Sequence, residues 1–365
     1  MLVAALGGTT ASRAAAPLAP ALTATVLAPV TTAGVDLHDG QILKVGTTYY
    51  WYGTMYGCGF QWGQSGPWCG FGVSMSSALT GPWSTPQLLF SPQSTDPWTG
   101  TTWAAECGST GAGCFNPRMI VRTGWGPNDG VPILWFNSPA DYSRSGANAY
   151  NVMGCNSLTG PCGPTAGPPY GSYNKPPLYV CSDNGDFSLI SIPGQLPAIV
   201  CTMAGSSPLN IEQLNEWGAG GTGVGARTIG SLTGVESPGM WRDTATGSWV
   251  LTYSDPYCGY CAGTSTGYAT ASSPYGPWSA PGNVGWAAPS WSRRSISADS
   301  CGGQPRTVSV LDGQPWQVVD LWRGTANETS AGTHLQPLVY DPALGTGTPG
   351  DGGLHRPPFT RWTCN

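Results

Sequence analysis

The sequence predicts an all-β protein, and within that class a five-bladed β-propeller. Three observations lead there. Short runs of β-branched and aromatic residues alternate throughout with Gly, Pro, Asn and Asp turns, and few runs have a helical period. A unit made of a polar residue, a strand, a tight turn and an aromatic strand occurs five times, opening at Asp39, Pro117, Asp186, Glu236 and Gln304, about 50 to 80 residues apart. Three units also close on similar turns: Ala78-Leu79-Thr80-Gly81-Pro82-Trp83, Ser157-Leu158-Thr159-Gly160-Pro161 and Ser273-Pro274-Tyr275-Gly276-Pro277-Trp278. Two stacked sandwich domains would give no reason for those three copies.

Unit one begins at His38-Asp39-Gly40, with strands over residues 42–45 and 49–52 around the turn Gly46-Thr47-Thr48. A loop over 53–70 carries Tyr56, Phe60, Trp62 and Trp68, and a third strand follows over 71–77. Unit two starts at Asn116-Pro117-Arg118, with strands over 119–122, 132–137 and 149–153. Unit three, the least regular, opens at Asp186-Phe187 and has strands over 188–192, 198–203 and 209–214. Unit four follows Glu236-Ser237-Pro238, with strands over 239–242, 248–254 and 268–272, and its loop holds Cys258 and Cys261. Unit five runs from Gln304-Pro305 through strands over 306–311, 316–322 and 335–340.

Composition narrows the function. Gly and Pro together make about a quarter of the chain, but 17 Trp and 15 Tyr supply the burial that disordered chains lack. Net charge is −5 with no basic run, so neither nucleic acid nor an anionic membrane is an expected partner. A neutral, hydroxyl-rich ligand suits such a surface better. The 12 Cys fall mostly in close pairs: Cys58/Cys69, Cys107/Cys114, Cys155/Cys162, Cys181/Cys201, Cys258/Cys261 and Cys301/Cys364. Zinc would call for repeated short spacings or companion histidines, and the sequence has a single CxxC and three scattered His. Disulfides, and with them an exported, oxidising compartment, are the expectation. Residues 1–34 read as a signal remnant and an Ala/Pro-rich linker outside the fold, and 35–365 as a single propeller domain. We expect a monomer.

In a propeller the innermost strand of each blade runs beside the central axis, so the residues opening the five units should ring one mouth of the channel. That ring would contain Asp39, Asn116 or Arg118, Asp186, Glu236 and Gln304, walled by the aromatic loop 53–70 and the Cys258/Cys261 loop. Carboxylates walled by aromatic rings suit a sugar: ring faces stack on pyranose C–H faces, and two carboxyl groups can serve as acid and base in glycoside hydrolysis. The alternative is a lectin-like propeller that holds sugar without cutting it. A fructan-type hydrolase ranks lower, because its Asn-Asp-Pro fingerprint is missing.

These residues resemble glycoside hydrolase family 43, whose members are five-bladed propellers. HDGQILKVGTTYYWYGT resembles the first-blade motif, VESPGMW the acid-bearing motif, Asn116-Pro117-Arg118 the blade-two Arg-Pro-Lys, and Gly302-Gly303-Gln304 to Asp320-Leu321-Trp322 the last-blade motifs of the galactan-cleaving branch. The resemblance implies an inverting hydrolase of galactose- or arabinose-containing polysaccharide. Glu236 would be the general acid, Asp39 the general base, and Asp186 the third acid that raises the pKa of Glu236; His38, Gln304, Arg118, Trp62, Trp68, Tyr56 and Trp322 would contact the substrate. The galactan branch usually has Gly where Asp39 stands and uses the last-blade Gln as a substitute base, whereas the arabinan- and xylan-cleaving branches keep His-Asp. Having both Asp39 and Gln304, the chain combines features of the two. The resemblance calls for no cofactor in the chemistry. Some members hold an axial metal ion near a His; for a structural calcium ion here, His334 is the candidate.

Overall fold

The computed structural model describes residues 27–108, 113–121, 130–138, 149–163, 175–183, 185–192, 194–244, 246–258, 263–279, 295–322, 328–339, 362 and 364. After β1 (Val30–Thr32) come β2 (His38–Val45), β3 (Thr48–Thr54), β4 (Phe71–Ser76) and β5 (Gln87–Leu88) of blade one. A short helix, Trp103–Gly108, leads to β6 (Phe115–Val121), β7 (Pro132–Asn137), β8 (Tyr150–Cys155) and β9 (Cys162–Gly163) of blade two. Blade three has β10 (Phe187–Ile190), β11 (Ala198–Thr202), β12 (Leu209–Leu214) and β13 (Gly221–Ala226). Blade four has β14 (Glu236–Arg242), β15 (Trp249–Asp255), β16 (Ser265–Ala271) and β17 (Ser295–Ser297). Blade five has β18 (Gln304–Leu311), β19 (Gln314–Leu321) and β20 (Gly332–Pro337).

The result is five antiparallel sheets of four strands; the innermost strand is the first in sequence in blades one to four, and β18 in blade five. The inner strands touch in the cycle β2, β6, β10, β14, β18 and back to β2, which closes the ring. The fourth strand of blade five is β1, paired with β20 through Val30–Leu335, Thr31–His334 and Thr32–Thr333. The linker reading of residues 1–34 is corrected here. Val30–Thr32 belongs to the fold, because β20 offers an unpaired edge that a three-residue extended segment can fill.

Alternation along the strands explains how each blade packs on two neighbours. On β11, Ala198 and Val200 join the apolar cluster shared with blade four, while Ile199 and Cys201 join the one shared with blade two. Similar clusters lie between blades one and two, four and five, and five and one. Being buried on both faces, second strands such as β7 and β11 read as continuous apolar runs. The three repeated turns share one conformation, with Gly81, Gly160 and Gly276 in the left-handed region and a cis Gly–Pro bond after each.

Near the axis the inner strands splay, and side chains bridge the gaps. Gln41 donates to the Met119 carbonyl, Arg118 Nε to the Phe187 carbonyl, Ser188 to the Pro238 carbonyl, and the Ile42 amide to Ser309. These bonds form a polar layer between neighbouring inner strands. On its far side the axis opens into a cavity of 680 Å³ with Ile42, Met119, Leu189, Met240 and Val308 among its lining.

Five of the expected disulfides are formed: Cys58–Cys69, Cys107–Cys114, Cys155–Cys162, Cys181–Cys201 and Cys301–Cys364. Cys258 is also disulfide-bonded; its expected partner, Cys261, lies outside the described residues. No described helix is long and apolar enough to cross a membrane.

Candidate active site

The site forms where the inner strands begin, and a shared backbone irregularity builds it. The pairing of inner and second strands slips by one residue after His38 in blade one, Phe115 in blade two and Glu236 in blade four. The next residue in each case, Asp39, Asn116 or Ser237, adopts a left-handed conformation with φ of 49°, 58° and 53°. Such bulges re-aim a side chain, and here all three reach the hydrogen-bond network at the axis. The chain then passes close to its neighbour: a Cβ on Gly40 would lie 1.7 Å from the Tyr52 carbonyl oxygen, so only glycine fits after Asp39. By register, Glu236 corresponds to His38 and Phe115, while Asp39 corresponds to Asn116 and Ser237. The two candidate catalytic acids therefore leave the backbone from adjacent register positions in different blades.

Arg306 is the hub. Its Nη1 lies 3.0 Å from Asp186 Oδ2 and 2.9 Å from Gln304 Oε1, its Nη2 donates to Asn116 Oδ1 at 2.6 Å, and its Nε is 3.7 Å from Asp320 Oδ2. Asp186 also accepts from Asn116 Nδ2 at 2.8 Å and from Ser237 Oγ. Burial pushes the Asp186 carboxyl up, but Arg306 and these two donors more than offset it, leaving its pKa below the ordinary value.

Glu236 shows the opposite balance. Burial and the negative charge of Asp186 push its pKa up to about 8. Its Oε1 accepts from the Cys258 amide at 2.8 Å and from Gln304 Nε2 at 2.6 Å. With two N–H donors on Oε1, the proton belongs on Oε2, which makes no hydrogen bond among the described residues. Gln304 is fixed in turn. Its Oε1 accepts from Arg306 and, at 3.1 Å, from Trp322 Nε1, and because neither partner can accept, the amide NH₂ must face Glu236.

Asp39 accepts from Thr54 Oγ1 at 2.7 Å, and Tyr56 Oη lies 3.5 Å from its other oxygen. Its own backbone amide donates to Asp320 Oδ2 at 2.8 Å. Burial and the Asp320 charge, against the pull of Arg306, push the Asp39 pKa up to about 7; burial likewise raises Asp320 to about 6. The site thus holds four carboxyls, Asp39, Asp186, Glu236 and Asp320, around two buried guanidiniums, and their pKa values are spread apart.

The other sequence expectations fare differently. Tyr56 and Trp322 lie at the site, edge-to-face to one another at 6.5 Å. His38 is fully buried between them and 3.6 Å from Asp36, with burial lowering its pKa to about 4, so it packs behind Asp39 rather than facing a ligand. Arg118 is buried and donates to the backbone carbonyls of Asp39, Pro117 and Phe187; it ties three blades together in place of contacting substrate. Trp68 is in the core between blades one and two, against Phe71 and Phe90, because the Cys58–Cys69 clip turns it inward. Trp62 stays exposed at the tip of the same loop.

Sequence reasoning missed Arg306 and assigned no role to Asp320. Two signals were present: Arg306 is two residues from Gln304 on one strand, and hence on the same side, and Asp320 is the register partner of Gln304. The residue named for a calcium ion, His334, is placed elsewhere. His334 is on β20, away from the axis, bonded to Thr31 Oγ1 at 2.9 Å and stacked on Trp362. With Cys301 and Cys364 it forms a three-ligand cluster within 4.8 Å. Both sulfurs belong to the disulfide, however, and calcium requires oxygen ligands, so the residues do not fit the ion.

No family profile matches the chain, and no curated protein matches its sequence. The fold, however, is shared with solved structures. An exo-β-1,3-galactanase from Phanerochaete chrysosporium, solved with β-1,3-galactotriose, superposes with a TM-score of 0.59 at 19% identity, over 84% of this chain and 61% of that one. A family 43 β-1,3-galactosidase, solved with galactodeoxynojirimycin, gives 0.60 at 17% identity, over 90% and 94%. An exo-β-1,3-galactanase from Clostridium thermocellum gives 0.58 at 16% identity, over 84% and 60%. The chain thus spans about three fifths of the length of the two galactanases. The fold is the five-bladed propeller that the sequence resemblance implied.

Proposed function

We propose that this chain is an exported glycoside hydrolase of the family 43 type, cleaving galactose-containing polysaccharide with inversion. The observation that carries the reading is the opposed ionisation of two neighbouring carboxyls. Asp186 is held as an anion by Arg306, Asn116 and Ser237, and its charge helps keep Glu236 protonated near neutral pH. A general acid needs such a proton. The structural likeness to galactan-cleaving enzymes supports galactose as the sugar, and the disulfides suit an oxidising compartment.

In this mechanism Oε2 of Glu236 gives its proton to the glycosidic oxygen as the bond to the anomeric carbon breaks. Asp39, as carboxylate, takes a proton from a water that attacks the opposite face. Gln304 and the Cys258 amide hold Oε1, so Glu236 presents its other oxygen. Asp39 is the base in this reading and Gln304 positions the acid, although the galactan-cleaving branch uses the Gln differently.

The test is a substrate panel of β-1,3-galactan, β-1,4-galactan, arabinan and xylan, with proton NMR of the first-formed anomer. Inverted product from a galactan, and loss of turnover with retained sugar binding in Glu236→Gln, are the expected results. Binding without turnover in the wild type would favour the lectin reading.

A further inference from the structure

Tyr257 stands out among the exposed large side chains for where it is held. The residue is 56% exposed, and among the described residues it has no ring contact and its hydroxyl has no hydrogen bond. Its backbone is firmly placed: the Tyr257 amide donates to the Gly234 carbonyl at 3.0 Å, and the next amide, that of Cys258, donates to Glu236 Oε1 at 2.8 Å. A Cα lies roughly 2.4 Å from the following amide nitrogen. The Tyr257 Cα is therefore within about 5 Å of the Glu236 carboxyl.

Blade one supplies the internal comparison. Thr54 is the register partner of His38 as Ser254 is of Glu236, and Cys58 and Cys258 follow at the same offset. The position matching Tyr257 is Gly57, whose amide is bonded to Asp36 where that of Tyr257 is bonded to Gly234. The same loop start thus carries no side chain in blade one and a solvent-facing aromatic in blade four, next to Glu236.

We infer that Tyr257 is a stacking platform for the leaving-group sugar, the residue on the far side of the scissile bond. The inference rests on Glu236 being the general acid. An acid touches the glycosidic oxygen, so a ring anchored beside the acid meets the sugar attached through that oxygen, and the apolar C–H face of a galactose residue would cover the exposed ring.

The experiment compares Tyr257→Ala and Tyr257→Phe with wild type on β-1,3-galactotriose and on β-galactosyl fluoride. Fluoride departs without a sugar in the leaving-group position. The expected result is about a tenfold fall in kcat/KM on the trisaccharide for Tyr257→Ala, near-wild-type values for Tyr257→Phe, and a loss confined to the substrate that has a leaving sugar. Equal losses on both substrates, or none on either, overturn the platform while leaving the hydrolase reading intact. Wild-type protein inert on both overturns the hydrolase reading and the platform with it.

Discussion

The side-chain amide of Gln304 donates to the carboxyl of Glu236 across 2.6 Å, while Arg306 and Trp322 hold the amide's oxygen. With both ends engaged, Gln304 has no group left to polarise a water. In the proposed mechanism it acts on Glu236, and the role of base falls to Asp39.

Removal of each residue separates those roles. Asp39→Ala is expected to lower kcat by about 10³-fold on a galactan oligosaccharide. Azide, a small anion that attacks the anomeric carbon without a base, should restore part of the rate and yield the inverted glycosyl azide. Gln304→Ala should lose less and gain nothing from azide. Rescue of the Gln304 variant alone would reverse the assignment.

The pH profile follows from the same pair. In the proposed mechanism Asp39 must be ionised and Glu236 protonated; the pKa of Asp39 is raised to about 7 and that of Glu236 to about 8. The kcat/KM of the free enzyme is expected to rise as Asp39 loses its proton and to fall as Glu236 loses its own, peaking between neutral and mildly alkaline pH. Asp39→Asn should abolish the acidic limb in whatever activity remains. An optimum near pH 5 would contradict the arrangement.

Stability should run against activity. Because the folded-state pKa of Asp39 is raised, its favourable contribution is complete below the unfolded value of about 3.9 and is lost as pH rises through about 7. At pH 8 the wild type carries a buried carboxylate there, and Asp39→Asn does not. Thermal melts are expected to show a larger gain for the variant at pH 8 than at pH 5, by a few degrees.

Arg306 is the structural counterpart. Arg306→Met would leave Asp186 and Asp320 buried without their cation, and removing one partner of a buried pair costs about 3–5 kcal/mol. Urea unfolding should register that loss. An unchanged midpoint would mean the two carboxyls simply take up protons.

Much of this site could be read from the sequence, because a blade opening is a local pattern. Asp39, Asp186, Glu236 and Gln304 each precede a strand that the aromatic and β-branched runs reveal, and five repeats place those openings on one mouth. What stayed hidden depends on direction. Trp68 and Trp62 belong to one loop with similar composition, yet the Cys58–Cys69 clip and the core send one inward and leave the other exposed. His38 precedes Asp39 directly, yet the bulge sends the two side chains to different surroundings. Arg306 looked like an ordinary strand residue, since nothing local says that a guanidinium will meet acids from two blades.

The pairing of β1 with β20 bears on where the chain can be shortened at its N-terminal side. A cut ahead of Val30 leaves blade five with four strands. A cut beyond Thr32 removes β1 and turns β20 into a bare strand edge, a template that a second copy of the chain can pair with. Truncation on one side or the other of Val30–Thr32 would then separate a chain whose fifth blade is complete from one that presents a free strand edge.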